Sequence, residues 1–393
     1  MVWGRTWQIL TSLGLARTLR QVAGVHPDQD IEPRFGFDFR RSDKSEGSHF
    51  FLLALPFITY LFHRAHFLDV LVDRIPNNIA HLGKRLRSYN QGSPSEPITL
   101  DFADGSSATC DLLVGSDGIK SAVRRCMFER KAAAGKPEMR KYIEPWFSGW
   151  VVYRSLVPVE KLTEDGKKHR IFEQPMMYCG VRKHIVSYGI ANGKLANVVG
   201  MYSVPVDDDA KYDGPWVSEV ARDEPVGCFT GWEPEVQELL KPVDKALKWA
   251  IHALHPLPTY IDGRVALLGD AAHAMTPHQG AGAGQAIEDA FVLAGILGHP
   301  DTTRENLPRA LQAYEHVRLP FANRVLAGSF ESGRMYEYWH DSFDVGGSEG
   351  LQQAIIHQWD WVGSESPEQQ MERALQWMHN EGNVVNGVDV ETN

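Results

Sequence analysis

The residues best suited to chemistry lie between Arg264 and Leu297, where a carboxylate and a glycine-rich loop follow each other closely. Val265–Leu268 is a short apolar run that ends in Gly269-Asp270. This pattern is typical of a buried strand that delivers a carboxylate to its C-terminal end, which is where open α/β sheets bind ligands. We therefore expect Asp270 to accept a hydrogen bond from a ligand, for example from a sugar-alcohol hydroxyl.

A glycine-rich loop and a helix follow Asp270. Gly280, Ala281, Gly282 and Ala283 begin a G-A-G-A-G run, in which the missing or small side chains let the backbone approach a flat or anionic group. The helix predicted after this run would point its amide-rich N-terminus at the ligand and stabilise negative charge there. Its apolar residues recur at helical spacing: Ala286, Ile287, Ala290, Phe291, Leu293, Ala294 and Leu297.

Three other interpretations of this stretch compete with a ligand site, which is favoured. A dinucleotide fingerprint is a poor fit, because Gln285 stands where G-x-G-x-x-G requires glycine. A metal site could use Asp270, His273 and His278, although the two histidines are not a helical i, i+4 pair and Pro277 lies between them. Asp270 could also simply cap the turn that follows it.

Composition limits the class of protein. With 393 residues, 43% of them hydrophobic, the chain can bury a large core and predicts two domains. A formal net charge of −10 offers no electrostatic footprint for nucleic acid. The four cysteines are far apart, which favours a reducing, cytoplasmic compartment. The longest apolar run, Phe50–Phe62, is only about half a membrane span, so we expect no integral membrane segment.

Three strands are predicted to form an antiparallel sheet in the middle of the chain: Trp150–Pro158, Arg182–Ile190 and Leu195–Val204. Arg154 shares a strand face with apolar residues, so a buried guanidinium there would need an anion. That anion could be a substrate carboxylate or phenolate, or an internal Asp or Glu. Three nearby side chains could contact a substrate or be core residues with satisfied polar tips: Tyr178, His184 and Tyr188.

Further elements are predicted around this sheet. Leu112–Gly115 is a second buried strand, followed by Ser116-Asp117-Gly118. Helical spacing predicts helices over Thr6–Leu19, Trp232–Leu254, Pro308–Phe330 and the tryptophan-rich tail, with a frayed end over Glu381–Asn393. Phe35–Arg40 alternates as a strand does, His63-Arg64 begins a helix, and residues 131–140 are predicted to be a mobile linker.

Two motifs carry a resemblance to a known family. Residues 269–290, GDAAHAMTPHQGAGAGQAIEDA, and residues 111–125, DLLVGSDGIKSAVRR, resemble two FAD motifs of the single-component flavoprotein aromatic hydroxylases, most closely the salicylate-hydroxylase-like branch. WGRTW, FRRSD and HRAHFLDVL are weaker matches, so the resemblance extends over most of the chain from Trp3 onward.

The resemblance implies an α/β fold: a Rossmann-like FAD-binding domain of the glutathione-reductase type, interleaved with an antiparallel-sheet substrate domain and followed by a helical C-terminus. On this basis we expect the first part of the FAD-binding domain at 1–140 and its second part at 255–330. The substrate-domain sheet would occupy 141–254 and the helical tail 331–393. The family begins with a G-x-G-x-x-G unit that this chain does not contain, so we expect a truncation of roughly 30 or more residues.

The resemblance also implies a reaction. FAD would hydroxylate a small aromatic acid or phenol through a flavin hydroperoxide, with O2 and with NADH or NADPH as a transient reductant, and the family leaves room for a homodimer. Two alternatives are retained: a truncated homologue that cannot hold FAD and has no activity, and a metal-dependent hydrolase.

The family pattern assigns roles to particular residues. Gly269 and Asp270 would hold the ribityl chain, and Pro277 with the Gly280–Ala283 amides would line the pyrimidine side of the flavin ring. At the pyrophosphate side it implies two further cofactor contacts, from Asp117 and Gly118, with Arg124 anchoring their loop. Arg64 would reach the ribityl-phosphate region of the flavin. Arg154 and Tyr188 are the residues expected at the substrate, with Pro277 beside the reacting ring.

Overall fold

The computed structural model describes residues 2–24, 35–55, 59–191, 193–207, 209–339 and 349–384. Its strands are β1 (Phe35–Arg41), β2 (Ser48–Leu55), β3 (Leu86–Asn90), β4 (Ile98–Phe102), β5 (Ser107–Cys110), β6 (Leu113–Gly115), β7 (Trp146–Pro158), β8 (Thr163–Glu164), β9 (Lys167–Lys168), β10 (Met176–Gly180), β11 (Lys183–Ile190), β12 (Leu195–Ser203), β13 (Val217–Ala221), β14 (Lys245–Ala253), β15 (Ile261–Asp262) and β16 (Val265–Leu267). Its α-helices are α1 (Gly4–Ser12), α2 (Ala16–Val22), α3 (Arg64–Val72), α4 (Ala122–Ala133), α5 (Asp223–Cys228), α6 (Pro234–Leu240), α7 (Asp270–His273), α8 (Gly282–Leu297), α9 (Leu307–Tyr336), α10 (Glu349–His357) and α11 (Pro367–Val384).

The largest sheet has eight strands in the order β13-β14-β7-β12-β11-β10-β1-β2. Every neighbouring pair is antiparallel except β1 and β10, which are parallel. The three strands predicted for this sheet are confirmed as β7, β11 and β12. Alternate residues of a strand face opposite sides, so one face of this sheet can line a site while the other packs on a separate core.

A second, smaller sheet brings together strands that are far apart in sequence. β6 and β16 pair in parallel, with Leu113 opposite Val265, and β15 adds to the other side of β16. Gly115 must be glycine here, because a Cβ would lie 2.7 Å from Val123 and 2.9 Å from Leu267. The helices α4, α7, α8, α9 and α11 pack around this sheet over a core that includes buried Val265, Leu267 and Val292. The strand predicted before Gly269-Asp270 and the helix predicted after the glycine run are confirmed.

Some predicted elements are wrong. Trp232–Leu254 is not one helix, because α6 ends at Leu240 and Lys245–Ala253 is strand β14, paired with β7. Residues 131–140 are not a loose linker, since α4 runs to Ala133 and a 3-10 helix follows at Pro137–Tyr142. The helix predicted over Thr6–Leu19 is two helices that break at Gly14, whose φ is +71°.

The predicted C-terminal helices are confirmed as α9, α10 and α11. The predicted fraying at the chain end lies mostly outside the described residues. Within the ranges that the structure describes, no helix is both long enough and apolar enough to cross a membrane.

Candidate active site

A cavity of about 460 Å³ lies between one face of the eight-stranded sheet and the loop that leads into α8. Its sheet wall carries Arg154, Tyr188 and Trp249, and the loop side is formed by Asp270 and residues 275–283. Apolar side chains such as Met177 and Val199 complete it. A concave, mostly apolar space with a few convergent polar groups is the usual form of a small-molecule site.

On the loop side of the cavity, residues with small side chains leave much of the backbone facing the space. Pro277 begins a 3-10 turn that ends at Gly280, which has the left-handed φ of +57°, and buried Ala281 is the N-cap residue of α8. A Cβ at Gly282 would lie 3.9 Å from Met275 and 4.0 Å from Asp270 Oδ1. The structure thus brings the predicted residues of this loop together with Asp270, and the α8 N-terminus begins at the cavity wall.

Gly269 and Asp270 have different roles. Gly269 adopts φ +60° and ψ −144°, a conformation that is essentially restricted to glycine, and its N–H donates to Asp289 Oδ2 at 2.9 Å. The Asp270 carboxylate borders the cavity and is exposed, and no hydrogen-bond donor bonds to it in the described part of the chain. Asp270 therefore has acceptor capacity to offer to a ligand.

Buried Asp289 holds the turn that presents Asp270. Its carboxylate accepts from Gly269 N–H, from His273 Nε2 at 2.6 Å and from Arg318 Nε at 2.8 Å. Burial alone would raise the pKa of Asp289, but His273 and Arg318 outweigh it and hold that pKa at about 2. The carboxylate is therefore ionised and fully bonded at neutral pH.

Gln279, in the middle of the loop, is held by residues near both ends of the chain. Its backbone carbonyl accepts from Trp3 Nε1 at 3.1 Å, and its side-chain oxygen accepts from Trp361 Nε1 at 3.0 Å. Its amide nitrogen donates to Ser332 Oγ at 3.1 Å and to the Gln358 carbonyl at 2.6 Å. A loop held in this way is organised before any ligand arrives.

The structure places Arg154 and Tyr188 on the opposite wall, and Arg154 is exposed there, so the buried guanidinium considered above is not found. Arg154 Nε donates to Asn197 Oδ1 at 3.3 Å, and no carboxylate lies within 4.0 Å of its guanidinium among the residues that the structure describes. The internal Asp or Glu partner considered above is therefore not found in that part of the chain. Burial raises the pKa of Tyr188, with Arg154 opposing, so its phenol is neutral at pH 7.

His278 also lines the cavity, which its sequence context did not predict. It is buried, neither ring nitrogen has a hydrogen-bond partner among the described residues, and burial with neighbouring His184 lowers its pKa well below the usual value. His184 Nδ1 in turn lies 2.8 Å from Glu337 Oε1. By contrast Tyr178, a predicted substrate contact, faces the other side of the sheet and donates to Glu235 Oε1 at 2.6 Å.

The metal site considered for Asp270, His273 and His278 is not formed. His273 Nε2 is bonded to Asp289, whereas His278 packs against Trp150 with 4.8 Å between ring centroids. Among the described residues, these three side chains do not form a group whose ligand atoms could share one ion.

The remaining predicted cofactor residues do not line this cavity. Asp117 Oδ2 accepts from the backbone N–H of Ala122 at 2.7 Å, so it caps the start of α4. Gly118 has φ +79° with open space where a Cβ would be, and Arg64 is exposed at the start of α3. Arg124 is buried and donates to three backbone carbonyls, those of Ile119, Ile143 and Ala271. Arg124 thus ties the loop after β6 to the turn after β16.

Comparison with known proteins gives the family. Residues 235–329 match the FAD binding domain family. The chain is 36% identical over 388 residues to a salicylate hydroxylase of Pseudomonas putida, covering 96% of this chain and 86% of that protein. The chain belongs to the FAD-dependent aromatic hydroxylases of the salicylate hydroxylase type. This hydroxylase is also 34% identical over 360 residues to a 6-methylsalicylate 1-monooxygenase of Aspergillus terreus, covering 89% of its own length and 77% of the relative's.

Solved structures agree on the fold of this hydroxylase. A salicylate hydroxylase substrate complex superposes with a TM-score of 0.83 at 33% identity, covering 95% of this chain and 90% of the other. Klebsiella pneumoniae HpxO, solved with FAD and uric acid, shares the fold at a TM-score of 0.66 and 21% identity, covering 96% of this chain and 86% of the other. The predicted α/β FAD-binding fold with a large sheet and a helical C-terminus is confirmed, and the protein is a flavin-dependent aromatic monooxygenase.

Proposed function

We propose that this hydroxylase acts on a small aromatic acid or phenol of the salicylate kind, using O2 and electrons from NADH or NADPH. The observation that carries the proposal is Arg154, a guanidinium on the cavity wall without a carboxylate partner among the described residues. Arg154 is exposed at the cavity wall, so its guanidinium is accessible to a substrate carboxylate or phenolate, with which it can form two parallel hydrogen bonds. Two relatives named for salicylate and 6-methylsalicylate support an aromatic acid.

The loop side of the cavity fits FAD. Glycine and small residues leave the backbone of Gly280–Ala283 open, and the α8 N-terminus lies where negative charge would be stabilised. We assign Asp270, beside Gly269, to the ribityl hydroxyls and Pro277 with the loop amides to the flavin ring. Bound FAD supplies the redox chemistry, accepting electrons from the nicotinamide and activating O2.

The pyrophosphate end of FAD would use residues outside the cavity. Gly118 leaves its backbone accessible, Asp117 orders the start of α4, and exposed Arg64 can pair with a phosphate. Arg124 would hold the loop in place and not contact FAD itself, because its donors are already bonded to backbone carbonyls.

On the opposite wall the protein positions the substrate. Arg154 would bind its carboxylate, and the neutral phenol of Tyr188 can donate a hydrogen bond to it. His278 is held neutral by burial, so the unprotonated nitrogen of its ring can accept a hydrogen bond from a substrate hydroxyl. Apolar neighbours such as Met177 and Trp249 would pack on the ring and exclude water from the reaction.

The test is a visible absorption spectrum of the purified 393-residue chain, titrated with FAD. Flavin bands that persist after desalting, followed by salicylate-dependent oxidation of NADH or NADPH and a hydroxylated product, are expected. Nicotinamide oxidation without product would contradict the assignment of salicylate-like substrates. A colourless chain that takes up no FAD would instead favour the alternative of a homologue that cannot hold the cofactor.

We expect Asp270→Ala to release flavin while leaving the fold intact. The carboxylate has no donor bonded to it in the described part of the chain, so its removal costs the protein alone little. A lost hydrogen bond to a charged acceptor is worth about 1.5 to 3 kcal/mol, or roughly ten- to a hundredfold in FAD affinity. Fluorescence titration with FAD measures it, with exposed Asp209→Ala as the matched control. Stoichiometric FAD in Asp270→Ala would show that the role given to Asp270 is wrong.

A further inference from the structure

Three ligand-type side chains converge at the end of α8 that lies away from the cavity. His299 and Asp301 stand in the turn after α8, and His379 projects from α11. One ligand atom from each lies within 4.8 Å of the other two, and no other such group is found in the part of the chain that the structure describes. The 16 residues of α8 place this cluster roughly 22 Å from the glycine-rich loop. It therefore lies outside the flavin site.

The spacing suits one small divalent ion. Zn²⁺ at 2.0–2.1 Å from tetrahedral ligands requires about 3.3 Å between neighbouring ligand atoms. His379 Nε2 lies 2.8 Å from Asp301 Oδ2, and His299 Nδ1 lies 3.7 Å from the same oxygen, so the two distances bracket that value. Imidazole and carboxylate are donors that Zn²⁺ prefers, and the exposed position leaves room for water as a fourth ligand.

The turn after α8 already holds the His299 ring beside Asp301. The backbone N–H of Asp301 donates to His299 Nδ1 at 3.3 Å, so this nitrogen acts as an acceptor and faces Asp301. That contact is long for a hydrogen bond, so exchanging it for a metal bond costs little. Elsewhere on the surface, His357 Nδ1 pairs with Asp360 Oδ2 at 3.1 Å without a third ligand. The third side chain, His379, is what distinguishes the cluster from an ordinary ion pair.

We propose that His299, Asp301 and His379 bind one Zn²⁺ ion on the surface of this hydroxylase. The ion joins the turn after α8 to α11, two segments that are separated by the whole of α9. Because α11 packs on both α8 and α9, the ion braces the helical C-terminus against the FAD-binding part of the protein. This role is independent of the redox reaction and does not rest on the proposed substrate.

The test uses the full chain with its affinity tag removed and metals stripped by a chelator, titrated calorimetrically with ZnCl₂. One Zn²⁺ per chain is expected for the wild type, and a rise in melting temperature on adding ZnCl₂ should accompany it. His299→Ala and His379→Ala should lose both effects, whereas His357→Ala, the matched exposed histidine, should keep both.

All three positions are at least partly exposed, so unchanged circular dichroism and FAD uptake would show that the variants fold. A wild-type chain that takes up no Zn²⁺ would overturn the proposal. So would a His379→Ala chain that binds as well as the wild type, because the ion would then lie elsewhere.

Discussion

Asp289→Ala is expected to lower the free energy of unfolding by about 3 to 5 kcal/mol, the usual cost of removing one partner from a buried ion pair. The substitution leaves Arg318 buried with one carboxylate fewer and removes the acceptor of the Gly269 N–H. Helix propensity cannot account for such a loss, since alanine is the best helix former and position 289 lies inside α8. Urea denaturation at pH 7 measures the effect.

Asp111→Ala is the matched control. Asp111 pairs with Arg304 at 2.9 Å on the surface, with more than half of each side chain exposed, and such pairs contribute little to stability. A loss of the same size in both variants would contradict a special role for the buried carboxylate.

The contribution of Asp289 should also depend on pH. Its pKa of about 2 in the folded protein lies below the value of about 3.9 of an unfolded aspartate. A depressed pKa means that the stabilisation is present above about pH 4 and is lost as the pH falls towards 2. The difference between wild type and Asp289→Ala should therefore shrink from pH 5 to pH 3. A difference that stays constant over that range would show that the ionised carboxylate is not the stabilising form.

Arg154→Gln is expected to reduce kcat/KM for an aromatic acid by an amount equivalent to about 1.5 to 3 kcal/mol, the usual worth of a hydrogen bond to a charged group, mostly through KM. The loss follows because the substrate carboxylate would remain in the cavity without its cation. A neutral phenol of similar size should be affected much less. Arg154→Lys should recover part of the lost kcat/KM, since it restores the positive charge but not the bidentate hydrogen bonding of a guanidinium.

FAD content and the exposed Arg304→Gln variant serve as controls for this experiment. Arg154 lies on the sheet wall, away from the loop assigned to FAD, so flavin content should not change. If the acid and the neutral phenol suffer equally in Arg154→Gln, then Arg154 supports the shape of the cavity and does not bind a carboxylate.

Elements with a strong local pattern could be predicted from sequence. The apolar run at Val265–Leu267 and the helical spacing after the glycine loop both specify their own structure, and the alternation around Arg154 placed it on the correct sheet. The helix prediction fails at Lys245–Ala253, which is strand β14, because the lysines, alanines and leucine of this segment favour a helix. Its alternation was the better signal, since Trp249 and Ile251 are two apart and both line the cavity.

Contacts that depend on distant parts of the chain could not be predicted. His278 is isolated from solvent partly by Gly333 in α9, where a Cβ would lie only 2.4 Å from its Cε1. Nothing near residue 278 encodes a glycine 55 positions later. The same holds for Arg124, whose guanidinium contacts the carbonyl of Ala271 across the two halves of the small sheet.

Because Trp3 and Trp361 both hold Gln279, the loop can be fully anchored only after both ends of the chain have been synthesised. Arg5, two residues from Trp3, bonds the Trp361 carbonyl, and 356 residues of chain separate the two. At a synthesis rate of 5–20 residues per second, roughly 20 to 70 seconds pass between their emergence from the ribosome. Until Trp361 emerges, the loop at residues 275–283 lacks one of the two indoles that hold Gln279 in place. The loop that faces the cavity therefore reaches its final order only after nearly all of the chain has been made.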